Sequence, residues 1–103
     1  MDKKTLISLG ELKKRYLPEG FSIIGVFGSF ARGQETEKSD IDILYEVDEK
    51  FLNKYTGLDA YVRLDKIRLE IRRSIHRNID LVNKNSLRKS GKKNILSETV
   101  YVE

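Results

Sequence analysis

The chain has 103 residues and carries 20 Lys and Arg against 16 Asp and Glu, so its formal net charge is +4. Single hydrophobic cores usually occupy about 100–200 residues, and we therefore expect one domain over residues 1–103. Cysteine is absent, which excludes a disulfide framework and thiolate metal sites. No apolar run reaches the roughly 18–20 residues that span a bilayer, and the N-terminus lacks a signal-peptide core. We expect a cytoplasmic protein that makes no contact with membranes.

The first half of the chain predicts one helix and two strands. Leucines recur at helical spacing over residues 5–16, and Pro18 ends this helix. Residues 21–27 are short, apolar and β-branched, as in a buried strand. After a short helical turn and a polar loop, residues 41–47 alternate between apolar and polar side chains, which is the period of a pleated strand.

The second half predicts a long helix over residues 58–75, with Tyr61 among its core residues, a third strand over 78–82 and a last helix, alone or with a short extension, within 86–103. Residues 48–57 read as an irregular connection. The fold class is therefore α/β (α+β) in the order α-β-(α)-β-α-β-α, with a small mixed sheet of three or four strands flanked by helices. Because Gly28 closes the first strand and Asp40 opens the second, we expect these two strands to be antiparallel neighbours.

The informative motif is Gly28-Ser29, followed after ten residues by Asp40-Ile41-Asp42. A Gly-Ser pair at the end of a buried strand allows a tight turn and exposes N–H groups beside a hydroxyl, which outlines a phosphate cradle. Residues i and i+2 of a strand share a face, with Cα atoms about 6.5–7 Å apart. Two carboxylates held in this way repel each other unless a cation lies between them, and Mg²⁺ commonly binds such oxygen ligands together with substrate phosphates.

Asp80 provides a third acid. It lies between two apolar residues of the third strand, where alternation places its side chain on the opposite face from theirs. If the third strand neighbours the second, Asp40, Asp42 and Asp80 converge. Three carboxylates around two metal ions about 3.5–4 Å apart are the arrangement used for in-line phosphoryl or nucleotidyl transfer.

These motifs also carry a family resemblance. Residues 28–33 (GSFARG) and 39–44 (SDIDIL) resemble the minimal nucleotidyltransferases of the DNA polymerase beta superfamily, and most closely the antitoxins of HEPN/MNT toxin–antitoxin systems. The resemblance covers nearly the whole chain. It implies an enzyme that uses Mg²⁺, with two ions expected, to move AMP from ATP onto a tyrosine hydroxyl of a cognate HEPN ribonuclease, which is thereby silenced.

The resemblance also implies a role for each position of the motif. Gly28 and Ser29 would hold the triphosphate, and Asp40 and Asp42 would bind both metal ions. Asp80 would complete one metal site and help to deprotonate the attacking hydroxyl.

Basic residues outside the acidic motif leave alternatives open. Arg32 either contacts phosphate, which guanidinium groups do well, or caps the loop at the surface. His76 is the only histidine, and we interpret it as a surface or helix C-terminal cation. The basic segment of the long helix, around Arg72 and Arg77, is either a solvated face or a contact to an acidic partner or RNA. Val62 and Leu69 either widen the core face of that helix or belong to a protein interface.

Three functions remain open at this point: protein adenylylation by an antitoxin, non-catalytic binding and occlusion of a toxin, and nucleotidyl transfer to RNA ends or small molecules. A domain of this size has no room for a separate acceptor-binding module. The acceptor must therefore supply most of the recognition surface, which favours a protein held in a hetero-oligomeric complex over a nucleic acid.

Overall fold

A computed structural model describes residues 3–34, 36 and 39–103. Within these residues, helices and strands alternate in an α+β arrangement, and no helix is both long and apolar enough to cross a membrane. The elements in chain order are α1 (Lys3–Tyr16), β1 (Phe21–Phe27), β2 (Ile41–Val47), α2 (Glu49–Lys54), α3 (Leu58–Ile75), β3 (Ile79–Asn83), α4 (Lys89–Glu98) and β4 (Val100–Tyr101).

The sheet has four strands in the order β3-β2-β1-β4. Strand β1 pairs antiparallel with both β2 and β4, whereas β2 and β3 run parallel. The predictions of a mixed sheet and of antiparallel first and second strands are therefore confirmed. The third strand lies beside the second, which is the condition under which the three acids converge. The predicted short extension after the last helix is strand β4, which covers the free edge of β1.

Gly25 allows β4 to approach β1 closely. A Cβ atom at this position would collide with the carbonyl oxygen of Val100 and the side chain of Thr99. The register between β1 and β2 also shifts between Ile23 and Gly25, so one residue of β1 is unpaired there. Such a bulge twists a strand locally and redirects the residues after it, which here form the end of β1 that leads to Gly28.

One face of the sheet is covered by α1 and α3. The core includes Leu9 of α1 and Ile67 and Ile71 of α3, all fully buried, together with Ile41 and Ile43 of β2. Because successive strand residues point to opposite faces, Asp42 lies on the other face of the same strand. The hydrophobic residues of β2 thus anchor the strand that presents the carboxylate.

Two parts of the sequence interpretation were wrong. The connection 48–57 is not irregular throughout: the Asp48 side chain accepts a hydrogen bond from the Phe51 N–H at 3.1 Å and caps α2, and Phe51 is fully buried. Tyr61 does not join the core and Val62 does not widen it, because 72% and 55% of these residues are exposed. Both are therefore surface residues of α3.

Candidate active site

The parallel pairing of β2 with β3 places Asp42 directly opposite Asp80 in the register. Neighbouring strands lie about 4.8 Å apart and in-register residues share a face, so these two carboxylates are side by side. Asp40 lies two residues before Asp42, just ahead of β2. Burial raises the pKa of Asp42 above its usual value, and the negative charges of Asp80 and Asp40 raise it further. The structure thus brings Asp40, Asp42 and Asp80 close enough for the charges of Asp40 and Asp80 to act on Asp42.

Gly28 lies against this acidic group. It adopts a φ of +78°, and a Cβ atom here would collide with the carboxylate of Asp42. Left-handed backbone conformations are unfavourable for residues that carry a Cβ, so both the backbone and the available space require glycine. The end of β1 and the acidic strand are therefore in direct contact, as the motif predicted.

The chain after Gly28 forms hydrogen-bonded turns rather than a helix. The N–H of Arg32 donates to the Gly28 carbonyl at 3.1 Å, and the N–H of Gln34 donates to the Ser29 carbonyl at 2.9 Å. Phe30 is only 2% exposed and fixes the turn to the core. The short helical turn of the sequence analysis is present, but it does not extend into a helix whose N-terminus could attract phosphate.

Arg32 has a partner on the protein surface. Its guanidinium donates to Glu98 of α4 at 3.3 Å and to the Gln34 side chain at 3.0 Å. Its positive charge also partly offsets the rise in the pKa of Asp42, which places it within electrostatic reach of the acids. Contact of Arg32 with phosphate stays a prediction, and such contact would require the guanidinium to leave or share Glu98.

Arg77 has a role that the sequence did not indicate. Its Nη2 donates to the carbonyls of Thr36 at 2.7 Å and Ser39 at 3.0 Å, and its guanidinium lies 5.7 Å from the centre of the Phe30 ring. Arg77 therefore ties the segment after α3 to the stretch directly before Asp40. No local pattern marks this contact, because the partners are backbone carbonyls 41 and 38 residues away.

The structure also places two other ionisable residues. His76 ends α3 in the left-handed conformation, with a φ of 62°, and its N–H donates to the Arg72 carbonyl at 2.7 Å. It is a helix C-terminal residue, as expected. Glu46, which shares a strand face with Asp42, lies 3.9 Å from the ammonium of Lys84.

The donor set fits Mg²⁺ through its chemistry. Carboxylate oxygens are the ligands that this ion prefers, and it commonly uses only one or two of them together with substrate phosphates. Burial first, and then the charges of Asp80 and Asp40, raise the pKa of Asp42 by more than the charge of Arg32 lowers it, so a bound cation would favour the ionised carboxylate. In the part of the chain that the structure describes, no three acidic or histidine side chains are arranged to enclose an ion on their own. Asp40, Asp42 and Asp80 would hold the ion together with the phosphate oxygens of a substrate.

Comparison with protein families identifies the class. The model of the nucleotidyltransferase domain matches residues 9–102, which is most of the chain. The chain therefore belongs to the nucleotidyltransferase domain family and is an enzyme of this class. A solved structure provisionally described as a minimal nucleotidyltransferase superposes with a TM-score of 0.71 and 27% identity, covering 97% of this chain and 95% of the other. The predicted fold and family are confirmed.

More specific similarities concern the kind of nucleotidyltransferase. The protein adenylyltransferase MntA of Thermococcus cleftensis is 40% identical over 93 residues, which are 89% of this chain and 82% of the relative. A protein of Methanocaldococcus jannaschii, provisionally named a protein adenylyltransferase, is 34% identical over 96% of this chain and 99% of its own. A toxin–antitoxin crystal structure with AMP-PNP shares the fold, with a TM-score of 0.68 and 17% identity over the whole of this chain and 73% of that one.

Proposed function

We propose that this protein is a Mg²⁺-dependent protein adenylyltransferase that transfers AMP from ATP to a tyrosine hydroxyl of a cognate HEPN ribonuclease toxin and thereby neutralises it. The observation that carries the proposal is the register of Asp42 and Asp80 on adjacent parallel strands, with Gly28 packed against the Asp42 carboxylate. The names of the curated relatives support transfer of an adenylyl group to a protein. ATP as the donor and a toxin partner made in the same cell would place the reaction in the cytoplasm.

Each residue of the site has a proposed role. Gly28 and Ser29 hold the triphosphate through backbone N–H groups and the serine hydroxyl, because successive N–H groups in a turn can form a concave anion site. Asp40, Asp42 and Asp80 would hold Mg²⁺. The metal would neutralise the phosphate oxygens and the charge that develops on the leaving group. Arg32 supplies a further positive charge beside the phosphates.

The proposed reaction is a single in-line displacement. The tyrosine oxygen attacks the α-phosphorus of ATP, a new P–O bond forms, and the bond between the α-phosphorus and the bridging oxygen of pyrophosphate breaks. The phenolic proton passes to Asp80, which is exposed on the edge strand β3 and can meet an acceptor that arrives from solvent. The products are the tyrosyl–AMP phosphodiester and pyrophosphate.

A protein acceptor is also favoured by exposed apolar residues near the start of α3. Leu58 and Tyr61 are 80% and 72% exposed, and Leu52 of α2 and Val62 are also exposed. Large apolar and aromatic side chains of this kind are typical of surfaces that are covered in a complex. The toxin–antitoxin structure with AMP-PNP has the same fold and combines a nucleotide with such a complex, which is the arrangement that we propose here.

The experiment is a transfer assay with ATP labelled at the α-phosphorus, Mg²⁺ and the HEPN protein encoded next to this gene. We expect label and an added mass of AMP on that protein, at a tyrosine. The double variant Asp40→Asn/Asp42→Asn should lose at least about a thousandfold in rate, because removing metal ligands removes several kcal/mol of transition-state stabilisation. The variant Glu11→Gln/Glu103→Gln makes the same change in charge at exposed positions of α1 and the C-terminus, away from α3, and should keep the activity.

Two outcomes would contradict the proposal. If the Asp40→Asn/Asp42→Asn variant still binds and neutralises the toxin fully, the protein acts by occlusion and not by chemistry. If RNA is extended while the HEPN protein stays unmodified, the acceptor is a nucleic acid.

A further inference from the structure

The end of α3 forms one side of a cavity that the proposed reaction does not use. The cavity has a volume of about 580 Å³ and is lined by basic side chains, with a serine and an asparagine beside them. Its size falls in the range of small-molecule sites, about 300–1,000 Å³. The polar and charged residues that line it are Ser39, Arg72, Arg73, His76, Arg77 and Asn78.

The charge of this cavity is not neutralised by the residues that the structure describes. None of the described residues that line it is acidic. The guanidinium groups of Arg72 and Arg73 have no carboxylate partner in the described part of the chain, and Arg77 donates to backbone carbonyls only. By contrast, Arg63 and Arg68 of the same helix are both paired with carboxylates. Positive charges held in one cavity repel each other, and an anion bound between them would relieve that repulsion.

The donor set favours phosphate groups. Guanidinium groups present N–H donors in a planar fork that matches two phosphate oxygens. Here Arg72, Arg73 and Arg77 line one cavity, together with the polar residues Ser39 and Asn78. No phenylalanine, tyrosine or tryptophan lines the cavity among the described residues. Aromatic platforms are the usual means of holding the bases of single-stranded nucleic acid, so this cavity suits a compact polyanion better than an RNA strand.

We propose that this cavity binds the phosphate chain of a free nucleotide or of inorganic polyphosphate, at a site separate from the carboxylates of Asp42 and Asp80. Ser39 lines the cavity and Asp40 comes directly after it, so the bound phosphate chain would lie against the segment that Arg77 fixes ahead of the acids. The proposal does not depend on the transfer reaction, because it concerns binding in the absence of an acceptor.

The test is a titration of the isolated protein with inorganic tripolyphosphate, ATP and AMP, with EDTA present so that no divalent cation fills the acidic site. His76 is the only histidine in the chain, so its imidazole proton resonances report on this cavity without assignment of the whole spectrum. We expect saturable shifts with tripolyphosphate and ATP, and much weaker binding of AMP. Equal affinity for tripolyphosphate and ATP identifies the phosphate chain as the group recognised. Tighter binding of ATP assigns the cavity to a nucleotide, and tighter binding of tripolyphosphate assigns it to inorganic polyphosphate.

A matched pair of variants makes the test specific. Arg72→Gln/Arg73→Gln should weaken tripolyphosphate binding about tenfold or more. Lys14→Gln/Lys50→Gln removes two exposed positive charges that do not line the cavity. This variant should weaken binding less than about twofold, since salt screens exposed charges that do not contact the ligand. All four positions are exposed, so melting curves should confirm that both variants fold.

Three results would overturn the proposal. One is the absence of saturation, or an equal loss of binding in both double variants, which would show unspecific charge attraction. Another is binding only of an RNA oligomer or of polyglutamate, which would assign the surface to a macromolecule. Glu35 and Glu37 lie outside the described residues, and binding that occurs only in the variant Glu35→Gln/Glu37→Gln would show that the chain's own carboxylates occupy the cavity.

Discussion

Two clusters of charged side chains in this protein differ in the signs of the charges that they bring together. Around Arg63, opposite charges meet: its guanidinium donates to both carboxylate oxygens of Glu19 at 2.7 and 2.8 Å, and lies 3.8 Å from Glu70. Around Asp42, like charges meet, and Asp80 and Asp40 both disfavour its ionised form.

The pKa shifts show what this difference means. The hydrogen bond from Arg63 lowers the pKa of Glu19, whereas burial and two neighbouring carboxylates raise the pKa of Asp42. A group that neutralises itself stabilises the fold, and a group left with unbalanced charge costs stability unless a ligand balances it. The Arg63 group therefore joins the turn after α1 to α3, and the Asp42 group is the one to which we assign the cation and the phosphates. Substitutions in the two groups test this contrast.

Among the single substitutions that test this contrast, the largest effect is expected from Gly28→Ala. The new Cβ would collide with the Asp42 carboxylate and displace either this carboxylate or the turn, so we expect the rate of adenylyl transfer to fall about a hundredfold. Gly33→Ala is the matched control, because Gly33 also has a positive φ, +71°, but nothing within 4 Å of a Cβ atom there. It should share the backbone strain, about 1–2 kcal/mol, and keep the rate within about threefold. Steady-state transfer rates and melting curves measure both, and equal rates in the two variants would show that the Gly28–Asp42 contact has no role in the reaction.

A smaller effect, on stability, is expected from Glu19→Gln. The side chains of Glu19 and Arg63 are only 17% and 20% exposed, and loss of their charge-assisted hydrogen bonds should cost about 2 kcal/mol at pH 7. Because the folded-state pKa of Glu19 is lowered, its stabilisation is present above its ordinary value of 4.5 and is lost as the pH falls through the folded-state pKa.

Urea unfolding at pH 7 and at pH 3 measures this prediction. The difference between wild type and Glu19→Gln should shrink at the lower pH. Glu11→Gln, at an exposed position of α1, should stay within about 0.5 kcal/mol of wild type at both. A difference for Glu19→Gln that does not depend on pH would indicate that the carboxylate charge does not stabilise the fold.

The smallest effect has the opposite sign. Asp42→Asn also neutralises one acid, but here the neighbouring carboxylates repel the charge that is removed. In EDTA at pH 7 we therefore expect the free energy of unfolding to rise by about 0.5–1 kcal/mol, a small value because solvent screens the repulsion. Added Mg²⁺ should raise the melting temperature of the wild type and not that of the variant. A loss of stability comparable to that of Glu19→Gln would show that the two groups do not differ as described.

Several features of the fold could be predicted because their causes are local in sequence. The bounds of β1, β2 and α3 follow from alternation and helical periodicity, and the structure gives the same bounds. The short helix α2 was missed because six residues carry too little periodicity. The cap that starts it, Asp48, is a single side chain that equally well begins a turn.

The residues of the candidate site also differ in whether the sequence alone could reveal them. Asp40 and Asp42 could be recognised from spacing alone, and Gly28 from its place at the end of a strand. Asp80 could be related to them only on the assumption that β3 neighbours β2, which the register now supplies. The contacts of Arg77 and the exposure of Tyr61 could not be predicted, because both depend on which distant elements pack against α3.

The sequence by itself determined the strands, the long helix and the acidic and glycine-rich motifs, because hydrophobic period and motif spacing act over a few residues. Only the tertiary structure decided that Asp42 and Asp80 lie side by side, that Arg63 is neutralised, and that Arg72 and Arg73 line a cavity with no acidic residue among its described lining. The physical reason is that the energy of a charge depends on the neighbours that folding brings to it, and those neighbours are far away in the chain.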